Sequence, residues 1–383
     1  MNSGAFRIRP VRRPRELAGS GEDPSRGGDR IAAVSGNSVP IYSPKKVGGV
    51  YILIALCVVF SLWAPNTFPH VATIQQVLDG NAILALIALP LIVPLSAGVF
   101  DLSTSYTVSM AGVMSAYLIT TDHLSITETI LITLACAVGI GIVNGIIVVG
   151  MRIDSFIGTL ASGSLIAAAI VAVSNDNTIV GPALVTGAFR NIGQAEWWGL
   201  IRPVYYAAAL ALVLWYIMKH TVTGRRLYAV GFNEHASSLA GIKVRKLRFL
   251  ALVTSSLLSG AAGIVYASII AAGSPDGGNP YLLPAFAAVF LGATQFTEGR
   301  FNAGGTILAV ILLGVGTTGL SLVGASEWLQ SAFTGVVLIA ALGVTGAERR
   351  QEGSNLTLAS WLRGLRALGG VRQRHAAEDR VAD

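Results

Sequence analysis

The sequence predicts an all-α polytopic membrane protein with about ten transmembrane helices and both termini in the cytoplasm. Only 12% of its 383 residues are charged and 53% are hydrophobic, whereas soluble domains average about 25% charged residues. The few charges are separated by long apolar runs, and a helix needs about 20 apolar residues to cross a bilayer. This composition also excludes a disordered chain, a collagen-like chain and a disulfide scaffold.

Ten runs of sixteen residues or more contain no Asp, Glu, Lys or Arg, and each is a candidate span. They cover 47–78, 80–100, 102–121, 129–151, 155–175, 203–218, 249–275, 277–297, 301–326 and 328–347. The run 203–218 is the shortest, and we expect Lys219 to complete it by extending its amine to the interface. A β-barrel would need alternating segments of about ten residues instead of continuous apolar runs.

The charges outside these runs orient the chain. If ten helices leave both termini inside, 25 of the 27 Lys and Arg residues lie in cytoplasmic segments. Only Arg190 and Arg202 fall in external loops. Because Lys and Arg concentrate on the cytoplasmic side of membrane proteins, this distribution predicts cytoplasmic termini.

The chain divides into a transmembrane domain, residues 47–347, and two tails. Residues 1–46 are rich in Arg, Gly, Ser and Pro, and we expect a disordered basic cytoplasmic tail because they cannot bury a core. Residues 348–383 form a second cytoplasmic tail. A short interfacial helix is predicted there, with a solvated tail as the alternative. Its apolar face consists of Leu358, Trp361, Leu362, Leu365 and Leu368.

Motifs of soluble enzymes are missing from the sequence. It contains no GxxxxGK phosphate loop, no HExxH, no CxxC and no GxSxG. Cys57 and Cys136 lie inside apolar runs, and none of the five His residues is paired at helical spacing. We therefore expect no catalytic residues, no metal site, no cofactor and no nucleic-acid partner. A transporter or channel is favoured over an enzyme.

Two polar clusters interrupt the apolar sequence, and two prolines interrupt span 2. The first cluster, 96–105, carries Asp101 as its only charge. Asp101 or Ser103 is expected to cap the helix of span 3, or else to contact substrate, because a carboxylate at membrane depth is costly otherwise. The second cluster, 292–305, lies between spans 8 and 9. Pro90 and Pro94 predict either a broken helix open to a cavity or a close-packed, kinked one.

The largest predicted cytoplasmic loop, 220–247, contains a short helix with defined ends. Asn233 is a plausible N-cap, Glu234 suits the first turn, and Gly241 suits the residue that ends a helix. Such a compact helix offers a surface that another protein can grip. A plain positively charged loop is the alternative.

Four segments resemble the membrane permeases of bacterial ABC sugar importers of the ribose/xylose/galactose type. Tyr228 to Val244 is similar to the coupling loop of that family. The first cluster resembles its Gly-Gly-Ile-Asp-Leu-Ser segment through Gly98 and Asp101 to Ser103. Residues 144–160 resemble its Asn-Gly and Phe-Ile-x-Thr-Leu segment, and the second cluster resembles its Gly-Gly-Thr-Ser and Gly-Gly-Arg-Gly segment. The four occur in the same order, and the resemblance extends from about residue 47 to residue 346.

The resemblance assigns residues to the coupling loop and the pathway. Asn233, Ala236, Leu239, Gly241 and Ile242 keep the pattern of the coupling loop, whereas Glu234 lies one position early, where proline is usual. Asp101 and Ser103 match a family segment that we assign to the substrate pathway. Thr317 and Thr318 stand where the family has Asn-Asn. The exchange removes an amide that both donates and accepts, so if these positions face the pathway, the solute is expected to differ from a typical pentose or hexose.

The resemblance implies the permease subunit of an ABC importer for a monosaccharide or similar small polar solute in the bacterial cell (inner) membrane. Its implied partners are a separate ATP-binding ATPase subunit on the 220–247 loop, an external solute-binding protein, and a second permease copy or paralogue. Two alternatives remain: an ion-coupled secondary transporter using Asp101, and a membrane enzyme.

Overall fold

The computed structural model describes residues 48–296 and 299–343, so the predictions for the two tails lie outside the described residues. The longer helices are α1 (Gly48–Trp63), α2 (Val71–Ser96), α3 (Thr104–Thr120), α4 (Ile126–Gly145), α5 (Ser155–Ser174), α8 (Arg202–His220), α9 (Val222–Phe232), α11 (Val244–Ile270), α12 (Leu282–Ala293), α13 (Ala303–Leu322) and α14 (Glu327–Gly343). The short ones are α6 (Pro182–Val185), α7 (Gly187–Gly193) and α10 (Glu234–Leu239). A π-helical turn, Ile146–Gly150, extends α4, and a 3-10 turn, Asn279–Tyr281, precedes α12.

Two small antiparallel pairs complete the secondary structure of the described part. Strand β1 (Ile179–Val180) pairs with β4 (Ala272–Gly273), and β2 (Glu196–Trp197) pairs with β3 (Leu200–Ile201). Each strand is two residues long, so these pairs fasten loops to the helices and form no core. The all-α fold class is confirmed.

Five helices are long and apolar enough to cross a membrane. They are α2, α4 with its π-helical turn, α5, α11 and α13. The pair α8 and α9 passes the same test together but bends by 74° between them. The helices α1, α14 and the stretch Asn279–Ala293 are apolar and shorter. The prediction of a polytopic membrane protein is thereby confirmed.

Polar residues begin three of the long helices. Ser125 and Glu128 form a capping box on α4, because the Ser125 side chain accepts from the Glu128 amide and the Glu128 carboxylate accepts from the Ser125 amide. The Asp154 carboxylate accepts from the first amides of α5, and Asn302 accepts from the Gly305 amide of α13. Each cap satisfies N–H groups that have no partner inside the helix.

Asp79 separates two of the predicted spans, and the prediction that a helix ends there was wrong. Helix α2 begins at Val71 and passes through Asp79, whose carboxylate accepts from the Ile201 amide at 3.1 Å. A backbone donor from a neighbouring segment therefore makes the charge tolerable inside a helix. The helix also continues through Pro90 and Pro94 and is buried without interruption from residue 82 to residue 96. Of the two alternatives for these prolines, the structure gives the close-packed helix.

Helix α11 is the central helix of the bundle and packs on α2, α3 and α4. Small residues form these contacts. A side chain on Gly263 would meet the Val108 carbonyl of α3, and one on Gly260 would meet Ala137 of α4. Small residues allow membrane helices to approach closely where lipid supplies no hydrophobic drive for packing.

Three hydrogen bonds bring separate loops to one end of the bundle, which we call the α10 end. They are Arg248 Nε to the Ala97 carbonyl at 3.1 Å, Arg245 Nη2 to the Val149 carbonyl at 3.0 Å, and the Tyr228 hydroxyl to the Phe301 carbonyl at 2.6 Å. The end of α2, the end of α4 and the start of α13 therefore lie beside α9 and the start of α11. This is the arrangement that neighbouring antiparallel spans produce.

Predicted span 8, run 277–297, is not one continuous helix. Its α-helical part is α12, which is only 12 residues long. Residues 271–281, which precede α12, contain no α-helix, and we call them the α11–α12 break. The break consists of strand β4, turns and the 3-10 turn. Two prolines and four glycine or asparagine residues within 273–280 favour turns over a helix.

Candidate functional site

The loop at the α10 end folds as two helices, α9 and α10, where one was predicted. Asn233 caps α10 as predicted, because its side-chain oxygen accepts from the Ala236 amide at 2.9 Å. Gly241 follows the helix at φ +80, and the Ile242 amide returns to the Ser237 carbonyl at 3.0 Å. A positive φ is cheap only for glycine. The predicted start and stop of this helix are therefore confirmed.

Two large apolar side chains project from this region into the surroundings. Leu239 of α10 is 90% exposed and Phe232 at the end of α9 is 88% exposed. The small residues Ala236 and Ala240 are exposed between them. Exposed apolar side chains grouped with small ones mark a surface suited to contact with another protein.

An ion pair ties this surface to the spans. Glu234 Oε2 accepts from Arg248 Nη1 at 2.8 Å, and Arg248 Nε also donates to the Ala97 carbonyl. Arg248 lies in the first turns of α11, and Ala97 follows the end of α2. These two contacts connect α10 to the start of α11 and to the end of α2.

A second connection leaves α9. The Tyr228 hydroxyl donates to the Phe301 carbonyl, and the Arg300 guanidinium stands over the Tyr228 ring at 5.6 Å. The Phe301 ring packs edge-on against Phe290 of α12. The second polar cluster, 292–305, is thus brought to the same surface as α9 and α10.

Asp101 lies in a buried polar network at the α2–α3 loop. It is 0% exposed, and its Oδ1 accepts from the Ser103 hydroxyl at 2.6 Å. The same hydroxyl accepts from Asn144 Nδ2 of α4 at 2.7 Å, and Ser162 of α5 donates to Asn144 Oδ1. A chain of hydrogen bonds therefore joins α5, α4 and the loop. A network of this kind is rigid when its members are satisfied.

The prediction that Ser103 caps α3 was wrong, because Ser103 has helical backbone angles and makes no side-chain cap. The Asp101 carboxylate accepts from the Ser103 hydroxyl, and it also accepts from the Ser103 backbone N–H at the start of the helix. The hydroxyls of α5 bind the loop amides, since Phe100 N donates to Ser155 Oγ and Leu102 N to Thr159 Oγ1, both at 3.0 Å. The loop is therefore held both by hydroxyls of α5 and by its own acidic residue.

One oxygen of the carboxylate is left over. Among the described residues Asp101 Oδ2 and the Ser255 hydroxyl of α11 have no hydrogen bond of good geometry, although the Ser255 hydroxyl lies close enough to donate to the carboxylate. A buried acceptor without a donor costs about 1–3 kcal/mol.

Thr317 and Thr318 belong to a different part of the bundle. The Thr317 hydroxyl donates to the Leu313 carbonyl of its own helix at 3.0 Å, and Thr318 is buried. The next residue, Gly319, packs against Phe60 of α1. Within the part of the chain that the structure describes, no hydrogen bond connects either threonine to Asp101 or Ser103. The four predicted pathway residues therefore form two separate groups.

Sequence reasoning missed the α11–α12 break and the side chains on it. Gly278 N donates to Ser109 Oγ of α3 at 2.8 Å, which places the break alongside α3. Asp276 and Asn279 are both exposed, and Asn279 Nδ2 donates to Asp276 Oδ1 at 2.9 Å. The turn-forming residues of 273–280 were the available signal. A search for uncharged runs treats Asp276 as the boundary between two spans, so it does not reveal that this residue belongs to a longer break.

Comparison with known proteins identifies relatives over most of the chain. The ribose import permease protein of Escherichia coli (strain K12) is 31% identical over 300 residues, covering 76% of this chain and 90% of that protein. The ribose import permease protein of Bacillus subtilis (strain 168) is 29% identical over 298 residues, covering 78% and 92%. The L-arabinose transport system permease protein of Escherichia coli (strain K12) is 27% identical over 301 residues, covering 77% and 88%. No solved structure matches the chain.

The match to a family covers the transmembrane part. The family described as "Branched-chain amino acid transport system / permease component" matches residues 74–342. Together with the relatives it confirms the resemblance to ABC sugar-importer permeases that the four segments indicated. A permease component is a transport subunit and not an enzyme. The chain is a multi-pass membrane protein that belongs to this family of transport-system permease components.

Proposed function

We propose that the protein is the membrane subunit of an ATP-driven importer and forms the path for a monosaccharide or similar small polar solute across the cell inner membrane. The single observation that carries this proposal is α10, a capped and sharply ended helix that exposes apolar side chains and is tied to α2 and α11. The relatives named for ribose and L-arabinose support a sugar as the solute.

The α10 surface is the docking site for a separate ATPase subunit in this proposal. Leu239 and Ile242 serve as apolar anchors, and Ala236, Ala240 and Gly241 leave room for a groove. Movement of the docked subunit passes through Glu234 and Arg248 to the ends of α2 and α11, and through Tyr228 to the loop before α13. These contacts give Glu234 a role despite its shifted position relative to the family pattern.

The remaining subunits and the topology are part of the same proposal. Ten spans leave both termini inside, with α10 on the cytoplasmic face, as the distribution of Lys and Arg favours. An external solute-binding protein delivers the solute to the opposite face. A second permease, identical or paralogous, completes the pathway in this proposal, as the resemblance to importer permeases implies.

The docking role is tested by one substitution and a matched control. In the complex assembled with its ATPase and binding protein, Ala236→Arg places a bulky charge on α10 and should abolish solute-stimulated ATP hydrolysis. Ala229→Arg puts the same side chain on an exposed position of α9 and should leave hydrolysis within about twofold of wild type. Normal stimulation in the Ala236→Arg complex would remove α10 from the docking site.

The topology is tested by labelling in intact cells. Cysteine in place of Glu196 should react with a membrane-impermeant thiol reagent, and cysteine in place of Thr223 should react only after the cells are opened. Both positions are exposed, so a lack of labelling reports sidedness and not burial. Labelling of position 223 in intact cells would invert the orientation.

The alternative is an ion-coupled transporter that uses Asp101, and the relatives named for ribose and L-arabinose favour the importer over it. Uptake that stops on ATP depletion but survives an uncoupler supports the importer. The opposite result supports ion coupling.

A further inference from the structure

The α11–α12 break carries polar side chains at a depth where other helices expose apolar ones. Gly273 lies against Val113 of α3, and Gly278 lies against Ser105 and Ser109 of the same helix. The break therefore runs beside α3 and not beyond its end. Gly277 packs on the Tyr266 ring of α11, four residues before that helix ends.

Asp276 and Asn279 project outward from this depth. Both side chains are exposed, and among the described residues Asp276 pairs with Asn279 and with no cation. Exposed positions on the neighbouring long helices are apolar, as Leu131 of α4 and Leu165 of α5 illustrate. Lipid does not tolerate a bare carboxylate or a non-helical backbone at this depth, whereas a water-filled cavity does.

On its buried side, the break lies beside a hydroxyl group that has no hydrogen-bond partner among the described residues. The Ser105 hydroxyl is fully buried and has no hydrogen-bond partner among the described residues. Gly278 leaves no space between the break and α3, since a Cβ there would stand 2.0 Å from the Ser105 carbonyl oxygen. The fixed backbone behind the break holds Asp276 and Asn279 in place.

We propose that Asp276 and Asn279 form a solute-binding site in the translocation pathway and that this site binds an uncharged polyhydroxylated solute. A carboxylate accepts hydrogen bonds from neighbouring hydroxyls, and a carboxamide both donates and accepts. The ring of Tyr281 in the break lies 5.9 Å from that of Tyr266 in α11, and aromatic rings have apolar faces suited to the C–H side of a sugar ring. The carboxylate repels anionic solutes. This inference rests on the proposed function.

One chain supplies only one wall of such a site, because the pair faces out of the chain. A two-fold related copy, or a paralogue, places the same segment on the opposite wall. The site is then incomplete in a single subunit, and the solute passes between the two breaks.

Thiol accessibility tests the water-filled face without depending on transport. In the assembled complex with Cys57→Ala and Cys136→Ala, cysteine in place of Asn279 should react with a charged methanethiosulfonate reagent at least about tenfold faster than cysteine in place of Leu165. Saturating D-ribose or L-arabinose with the binding protein should slow the reaction at position 279 only. Equal rates at the two positions would place the break against lipid or a dry interface and overturn the inference.

Uptake measurements separate this inference from the proposed function. In a panel of neutral sugars and polyols that includes D-ribose and L-arabinose, Asp276→Asn should lower kcat/KM for ATP-dependent uptake of the solute that the wild type transports by at least about tenfold, since a hydrogen bond to a charged group is lost. Asp122→Asn, the same change on an exposed loop, should leave uptake unchanged. Unaltered uptake by Asp276→Asn beside an active wild type contradicts the inference alone. Wild-type complex without ATP-dependent uptake of any solute in a panel of neutral sugars and polyols contradicts the proposed function, while the labelling result still decides the inference.

Discussion

Two carboxylates, those of Asp101 and Asp276, lie outside the α-helices, and the first is buried whereas the second is exposed. Asp101, in the α2–α3 loop, is fully buried and connected through Ser103 and Asn144 to α4 and α5. Asp276, in the α11–α12 break, is exposed and bound to Asn279 alone among the described residues. A carboxylate whose partners are all protein groups holds helices together. A carboxylate that points outward is available to a solute.

The same contrast applies to the two sites of proline in the spans. Pro90 and Pro94 lie in a helix that continues through them and is buried on all sides. Pro275 lies in a turn and Pro280 in the 3-10 turn, and both are outside the α-helices. A proline opens a span only where glycine and other turn residues accompany it, because packing by neighbouring helices otherwise restores the helix.

The largest expected difference between the two regions comes from leucine substitutions. Asp101→Leu removes the acceptor of the Ser103 hydroxyl and leaves buried polar groups unsatisfied, at about 1–3 kcal/mol for each. We expect a large loss of inserted, monodisperse protein by size-exclusion chromatography. Asp276→Leu should insert normally and lose uptake. Equal yields of the two variants would erase the distinction between a structural and a solute-binding carboxylate.

A methyl group at Gly278 tests how rigidly the break is held. Gly278 has an ordinary φ of −86, so alanine is excluded there by space alone, with the Ser105 carbonyl in the way. We expect Gly278→Ala to cost about 1–3 kcal/mol of stability and to reduce uptake by moving Asp276. Gly299→Ala is a matched control without nearby atoms but with a positive φ, and it should cost only about 1 kcal/mol. A thermal shift that is no larger for Gly278→Ala than for the control would mean that the break adapts.

Asparagine substitutions compare the two carboxylates with little change in side-chain size, because they remove the charge. Asp101→Asn keeps an acceptor for Ser103 and adds a donor that faces the Ser255 hydroxyl, so we expect nearly normal insertion and only a modest fall in uptake. Asp276→Asn should show the reverse profile, with normal stability and strongly reduced uptake. If Asp101→Asn abolishes uptake in inserted protein, the charge itself is needed and the ion-coupled mechanism gains support.

The smallest effect is expected at the ion pair of the α10 end. The Glu234 side chain is about half exposed, and an exposed pair contributes about 0.2–1 kcal/mol. Glu234→Gln should therefore leave thermal stability almost unchanged. Arg248→Ala also removes the hydrogen bond to Ala97 and should have the larger effect on both stability and coupled ATP hydrolysis. Equal effects of the two changes on stability and on coupled ATP hydrolysis would mean that the hydrogen bond to Ala97 contributes to neither.

The sequence by itself determined the class of protein and the local helix ends. Long uncharged runs can be accommodated only as membrane helices, and they predicted the polytopic all-α fold. The cap by Asn233 and the stop at Gly241 depend on interactions within a few residues, so they too were predictable. The order of four family-like segments was enough to recognise the permease family.

Tertiary structure alone decided what each polar residue does. Ser103 turned from a predicted cap into a member of a network because Asn144, 41 residues away, competes for its hydroxyl. Asp79 stayed inside a helix because Ile201, 122 residues away, donates to it. The α11–α12 break exists beside α3 because Gly278 permits contact with a helix 169 residues earlier. Such partners are distant in sequence, and a single chain contains no local pattern that specifies them.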